Sequence, residues 1–203
     1  MARYPRGSAG RPRSGSPADA VHDDDPLATA RSICLRQLAM GPRTRAQLAT
    51  VMARKGVEED TATQALDRLE NVGLIDDAAY AEVWVRSRHR DRGLAKRALS
   101  MELRQRGVAD ELVLEALEVI GPEDERVRAR SLIDRKLSAT RGLAMDVRVR
   151  RLTGLLARKG YGPGVAMAVV REALRDEVSD VHDARILDDL DGPMSDAVRD
   201  GLG

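Results

Sequence analysis

The side chains with most scope for chemistry in this chain are cationic. Arg86, Arg88, His89, Arg90, Arg92, Lys96, Arg97, Arg104 and Arg106 crowd one short stretch whose only acids are Asp91 and Glu102. A solvated protein surface normally mixes its charges, so an unbalanced run suits phosphates or an acidic protein groove. A second, looser array follows, with Arg126, Arg128, Arg130, Arg135, Lys136, Arg141, Arg148, Arg150, Arg151, Arg158 and Lys159. The pairs Arg54-Lys55 and Arg158-Lys159 are accounted for as cations in the last turn of a helix. The remaining candidates for contact with a partner or DNA are Arg86, Arg88, Arg90, Arg92, Lys96, Arg97, Arg104, Arg106, Arg148, Arg150 and Arg151. Aromatic residues make up 2% of the chain, so base stacking has little to work with and any nucleic-acid contact is expected to be electrostatic.

Other chemistries find no constellation. The histidines His22, His89 and His182 are far apart and lack ligand-spaced companions, so neither a metal site nor an acid–base pair is expected. No phosphate-loop motif occurs. The single cysteine, Cys34, sits among Ile33, Leu35 and Leu38, where a small buried hydrophobe is expected rather than a catalytic thiol. Asp76-Asp77 opens a helix, where negative charge suits the dipole. The reading is of a binding protein without catalysis or cofactor.

The elements that must position these cations repeat. Lys55-Gly56-Val57, Arg106-Gly107-Val108 and Lys159-Gly160-Tyr161 recur at intervals of about fifty residues. Eight positions before each glycine stand Leu48, Leu99 and Leu152, and four before it stand Met52, Leu103 and Leu156. Ala65-Leu66, Ala116-Leu117 and Val169-Val170 occupy equivalent places after it. One helical face therefore recurs: an amphipathic helix ends on a basic turn, glycine takes a left-handed conformation, and a second helix begins. A further helix precedes each pair. Asp25-Pro26 supplies a cap and a first-turn proline, Gly41 a stop, and Thr44 with Gln47 a capping box. Helices are expected near 27–40, 44–55 and 58–72, then about 77–90, 94–106 and 109–120, then about 123–138, 145–159 and 163–176. Tyr80 and Trp84, one turn apart, are expected to pack as the largest apolar anchor of the middle unit.

The fold class is thus all-α, in three tandem three-helix repeats at 27–75, 76–121 and 122–177. Residues 1–26, rich in Arg, Gly, Ser and Pro, are expected to be a disordered tail. Residues 178–203 are expected to be an acidic, mostly disordered tail holding at most a short helix. With no Phe and 33% charged residues, several small cores are favoured over one large one. No apolar run reaches the roughly twenty residues of a membrane span, and no hydrophobic signal core follows the N-terminus. A cytoplasmic monomer is expected.

Gly73-Leu74-Ile75-Asp76-Asp77, followed by Tyr80-Ala81, carries a more specific likeness. Downstream, Arg92-Gly93 leads into Lys96, Leu99, Leu103 and then Arg106-Gly107-Val108. In order and spacing these residues resemble the RecX family of bacterial regulatory proteins, over about 28–174. The resemblance implies an elongated, curved helical array that lies in the groove of the RecA filament on DNA. It also implies modulation, mainly inhibition, of recombination, strand exchange, ATP hydrolysis and the co-protease activity of the SOS response. The motif residues are then Gly73, Leu74, Ile75, Asp76, Asp77, Tyr80, Gly93 and Gly107.

Two other readings compete. Thr44 to Ile75 reads well as the helix-turn-helix of a winged-helix transcriptional regulator. A wing needs two short strands next, whereas 76–92 has helical spacing and a strong N-terminal cap. A plain helical-repeat adaptor for an unrelated protein is the second.

Overall fold

A computed structural model describes residues 25–190, with side chains as far as Ser179. The expectations for residues 1–24 and 191–203 lie outside the described residues. Among the described residues all regular structure is helical. The order is α1 (Pro26–Ala39), α2 (Arg45–Arg54), α3 (Glu59–Asn71), α4 (Asp77–Arg92), α5 (Lys96–Gln105), α6 (Asp110–Leu117), α7 (Pro122–Leu137), a 3-10 turn (Ser138–Thr140), α8 (Met145–Arg158) and α9 (Pro163–Leu190).

The helix starts follow from their caps. The Asp25 carboxylate accepts from the Leu27 N–H at 2.9 Å and Pro26 holds the first helical position. Thr44 and Gln47 form the reciprocal box, with bonds of 3.3 and 3.2 Å. Asp76 accepts from Ala79 N–H at 2.8 Å. A winged-helix reading fails here, because the place of the wing strands is taken by α4. One boundary departs from expectation. The last helix does not stop near 176 but runs on to Leu190, into the segment 178–203 read as mostly disordered. The reason is visible in the sequence: between Gly164 and Gly192 there is neither glycine nor proline, and nothing else in that stretch terminates a helix.

The chain forms two compact units. Of the described residues, the first takes in 25–41 and Leu48–Leu74; the second takes in Pro42–Gln47 and 75–190. In the first, α1 packs on α3, burying Ala30, Ile33, Cys34, Leu48, Met52, Ala65, Leu66 and Leu69. The Cys34 thiol lies 3.5 Å from the Met52 sulfur, and burial pushes its pKa up, so it is a core side chain as expected.

The second unit holds two apolar clusters. Ala81, Val85, Leu99, Leu103, Val113 and Leu117 gather where α4, α5 and α6 meet. Ala129, Ile133, Leu152, Leu156, Val169, Val170 and Ala173 gather where α7, α8 and α9 meet. The recurring glycines make the same corner each time. Gly56, Gly107 and Gly160 have φ of 78°, 79° and 90°. The next residue returns a backbone hydrogen bond five residues back, Val57 to Met52, Val108 to Leu103 and Tyr161 to Leu156. This is a glycine-terminated helix closure in which orphan carbonyls find donors.

These corners also receive helix starts. At the start of α2, Thr44 Oγ1 donates to the Arg106 carbonyl at 2.6 Å, Arg45 N–H donates to Asp77 at 2.9 Å, and a Cβ on Gly107 would overlap that of Ala46. At the start of α5, Ala95 N–H donates to the Lys159 carbonyl at 2.9 Å and Lys96 N–H to Glu125 at 2.8 Å, while Ala98 lies against Gly160. Each joint therefore has the same parts: a carbonyl before the glycine, a carboxylate in the first turn of α4 or α7, and an alanine that only glycine leaves room for.

Candidate partner-binding surface

The cationic run from Arg86 to Arg106 separates into three groups once placed on its helices. One group is paired on the surface: Arg86 with Glu82 at 3.1 Å, Arg90 with Asp91 at 2.9 Å and Arg104 with Asp110 at 2.6 Å. All six side chains are at least half exposed, so these pairs hold little energy and open readily for a partner.

A second group clamps an aromatic ring. Arg88 and Arg106 place their guanidinium carbons 4.0 and 3.6 Å from the centre of the Trp84 ring. Both distances are within cation–π range. Tyr80 stacks on Trp84 at 5.8 Å, as its one-turn spacing predicted, and the indole N–H donates to Glu102 at 2.8 Å. Both aromatics are half-buried against the α4–α5–α6 core. The Nε atoms of Arg88 and Arg106 are buried without a hydrogen-bond partner, so these two residues serve packing first. Trp84 is the anchor its spacing predicts, while Arg88 and Arg106, candidate partner contacts in the sequence, lie against its ring.

The third group is free. Arg92 and Arg97 are exposed and have no side-chain partner among the described residues, and the same holds for Arg150 and Arg151 on α8. Arg97 and Arg150 each stand ten residues before their corner glycines, Gly107 and Gly160, and so occupy equivalent places. Lys96 is half-buried, its N–H held by Glu125. The end of α4 that carries Arg92 is fastened by donors: Arg128 to the His89 carbonyl (3.2 Å), Lys159 to that of Arg92 (2.9 Å) and Tyr161 to that of Gly93 (3.2 Å). The His89 ring meets the Leu94 carbonyl at 2.8 Å. Burial, then the charge of Glu125, pushes the Tyr161 hydroxyl up to about 12, so it stays a donor to Gly93. Gly93 itself takes φ 61° and faces Leu132.

Arg148 does not belong on this surface. It is buried, bonded through Nε to Thr140 at 3.1 Å and ion-paired with Glu177. Arg141 reaches the same carboxylate at 2.6 Å. Burial would raise the Glu177 pKa, but hydrogen bonds and charge from Arg141 and Arg148 outweigh it and hold the carboxyl below its ordinary value. Sequence spacing missed this because Glu177 lies 29 residues away. Likewise Arg126 and Arg130, in the basic array of the third unit, bind Glu172 and Asp176 at 2.7 Å each and tie α7 to α9.

The family motif residues are structural in this geometry. Gly73, at φ 71°, ends α3 and its N–H returns to the Glu70 carbonyl at 2.8 Å. Leu74 is half exposed and Ile75 is buried. Asp76 caps α4, whereas Asp77 accepts from the start of α2. No group of three or more His, Cys, Asp or Glu side chains is placed to hold a metal among the described residues, and no helix there is long and apolar enough to cross a membrane.

Comparison with known proteins shows the family of the chain. Residues 30–69 match the family description "RecX, first three-helix domain" and residues 76–117 match "RecX, second three-helix domain". The chain is 49% identical over 165 residues to the "Regulatory protein RecX" of Thermobifida fusca (strain YX), covering 81% of this chain and 89% of that one. It is 52% identical over 156 residues to that of Streptomyces coelicolor, covering 77% and 83%. A crystal structure of a regulatory protein RecX superposes with a TM-score of 0.66 at 25% identity, over 71% of this chain and 73% of that one. The crystal structure of RecX from Lactobacillus salivarius gives 0.68 at 18% identity, over 73% and 97%, and shows the shared fold. The chain belongs to the RecX family of regulatory proteins.

Proposed function

We propose that this chain regulates RecA by occupying the groove of the RecA–DNA filament, mainly as an inhibitor of recombination, ATP hydrolysis and co-protease activity. The observation that carries the reading is membership of the RecX family across nearly the whole length of its relatives. The unpaired cations Arg92, Arg97, Arg150 and Arg151 support it, since both a nucleoprotein groove and exposed phosphates are acidic. The work is done by binding. Side chains that already stand free pay no cost of breaking internal pairs, and the paired arginines around them can exchange acids with a partner at little cost.

The test is enzymatic on the partner's side. Purified protein added to pre-formed RecA filaments on single-stranded DNA is expected to lower ATP hydrolysis and strand exchange in a dose-dependent way. Unchanged rates at molar excess over RecA would contradict the proposal and leave the helical-repeat adaptor as the better reading.

A further inference from the structure

The three glycine corners share a backbone and differ in what they hold. The Gly107 corner, where α5 ends, receives the start of α2; the Gly160 corner, where α8 ends, receives the start of α5. Each thus holds the start of the helix that ends at the corner before it. No corner precedes Gly56. Among the described residues nothing lies within 4 Å of a Cβ placed there, and no donor reaches the Lys55 carbonyl. The residue after the glycine registers the difference: Val108 and Tyr161 are each 4% exposed, whereas Val57 is only half-buried.

The filled corners define what fits the open one. The carbonyl before the glycine accepts from the residue that precedes the incoming helix, Thr44 Oγ1 to Arg106 at 2.6 Å and Ala95 N–H to Lys159 at 2.9 Å. An alanine two or three positions on, Ala46 or Ala98, lies where a Cβ on the glycine would go. The incoming start is the positive end of one helix dipole and the corner the negative end of another, so the joint is matched electrostatically too. A partner for Gly56 therefore needs a helix start with a hydroxyl or N–H donor and an alanine or smaller residue in its first turn. Phosphate, an acceptor without donors, does not satisfy a carbonyl. A second copy of this chain is a poor source. Thr44 and Ala95 stand twelve residues before their glycines, and the residue at that place in α8 is Arg148, buried and paired with Glu177. The start has to come from another protein.

We propose that the Gly56 corner is a docking point for the first turn of a RecA helix that begins with a donor and a small residue, in the manner of α2 at Gly107 and α5 at Gly160. This contact rests on the RecA reading above and is made by backbone and shape, separately from the free cations.

The test is Gly56→Ala in the full chain, measured for binding to pre-formed RecA filaments on single-stranded DNA. The added methyl meets nothing in the free protein but takes the place of the incoming small residue, so affinity is expected to fall about tenfold. Gly73→Ala and Gly142→Ala are the controls. Both glycines have left-handed backbone, φ 71° and 83°, with open space at the Cβ, so these variants carry comparable strain and are expected to bind as wild type does. Helix content by circular dichroism, and any binding to the same DNA without RecA, are expected to be equal in all four proteins. Filament binding by Gly56→Ala equal to that of wild type would overturn the docking point and leave the RecA reading standing, whereas no wild-type binding to filaments would remove that reading and the docking point with it. An equal loss in all three variants would trace the effect to strain, and an equal loss on bare DNA to nucleic-acid contact; either would overturn the proposal. So would wild-type self-association that Gly56→Ala abolishes, which assigns the corner to a second copy.

Discussion

Trp84 concentrates the energetics of the middle helices in one side chain. Two guanidiniums, a stacked tyrosine and a carboxylate all depend on its ring. Trp84→Ala is expected to lower unfolding stability by about 2–3 kcal/mol in urea titration, less than for a fully buried tryptophan because the ring is only half-buried. Glu177 is the other costly position. Glu177→Gln leaves the buried Arg148 without its counter-charge, and a loss of about 3 kcal/mol is expected near neutral pH. The pH dependence carries the sign. Since the folded-state pKa of Glu177 lies below its ordinary value, its contribution is complete above the ordinary carboxylate range and disappears as pH falls through the folded value. The gap between wild type and Glu177→Gln should therefore narrow at acid pH; a gap independent of pH would contradict the assignment.

At the scale of elements, the corner glycines differ in a way that their similar φ values conceal. Gly56 has open space where a Cβ would go, whereas a Cβ on Gly160 would lie 2.6 Å from the Ala98 Cβ and 2.7 Å from its backbone nitrogen. Gly56→Ala is expected to cost about 1 kcal/mol, for left-handed backbone alone. Gly107→Ala and Gly160→Ala are expected to cost about 2–4 kcal/mol, because overpacking adds to the strain. Thermal or urea unfolding of the three variants checks the order. The helices and these corners were legible in the sequence because caps, stops and apolar period are local signals: Asp25-Pro26, Thr44 with Gln47, and the glycines at a fixed interval all do what their chemistry dictates. What was not legible is non-local. Asp77 looked like a cap for its own helix and instead caps α2. Arg148 looked like its exposed neighbours Arg150 and Arg151, and only the return of α9 buries it beside Glu177. The run of α9 past 176 was legible in principle, as an absence of breakers, but its acidic composition pointed to a tail.

At the scale of the whole molecule, part of the positive charge of the two arrays does internal work. Arg88, Arg106, Arg128, Arg130 and Arg148 hold helices, rings and carboxylates in place. Arg92, Arg97, Arg150 and Arg151 are exposed without a side-chain partner among the described residues and are the proposed contacts. Replacing these four by serine should leave helix content unchanged and flatten the salt dependence of partner binding, whereas replacing Arg86, Arg90 and Arg104 should do less. The proposed regulatory role rests on the family; the geometry adds which of the candidate side chains have no partner among the described residues. The most direct measurement is binding to pre-formed RecA filaments on single-stranded DNA across a salt series, wild type against Arg92→Ser/Arg97→Ser/Arg150→Ser/Arg151→Ser. The account predicts saturable wild-type binding that weakens with salt, and a variant that binds at least about tenfold more weakly at low salt, as the loss of four cation contacts implies. Equal affinities at every salt concentration, or no wild-type binding at all, would contradict it.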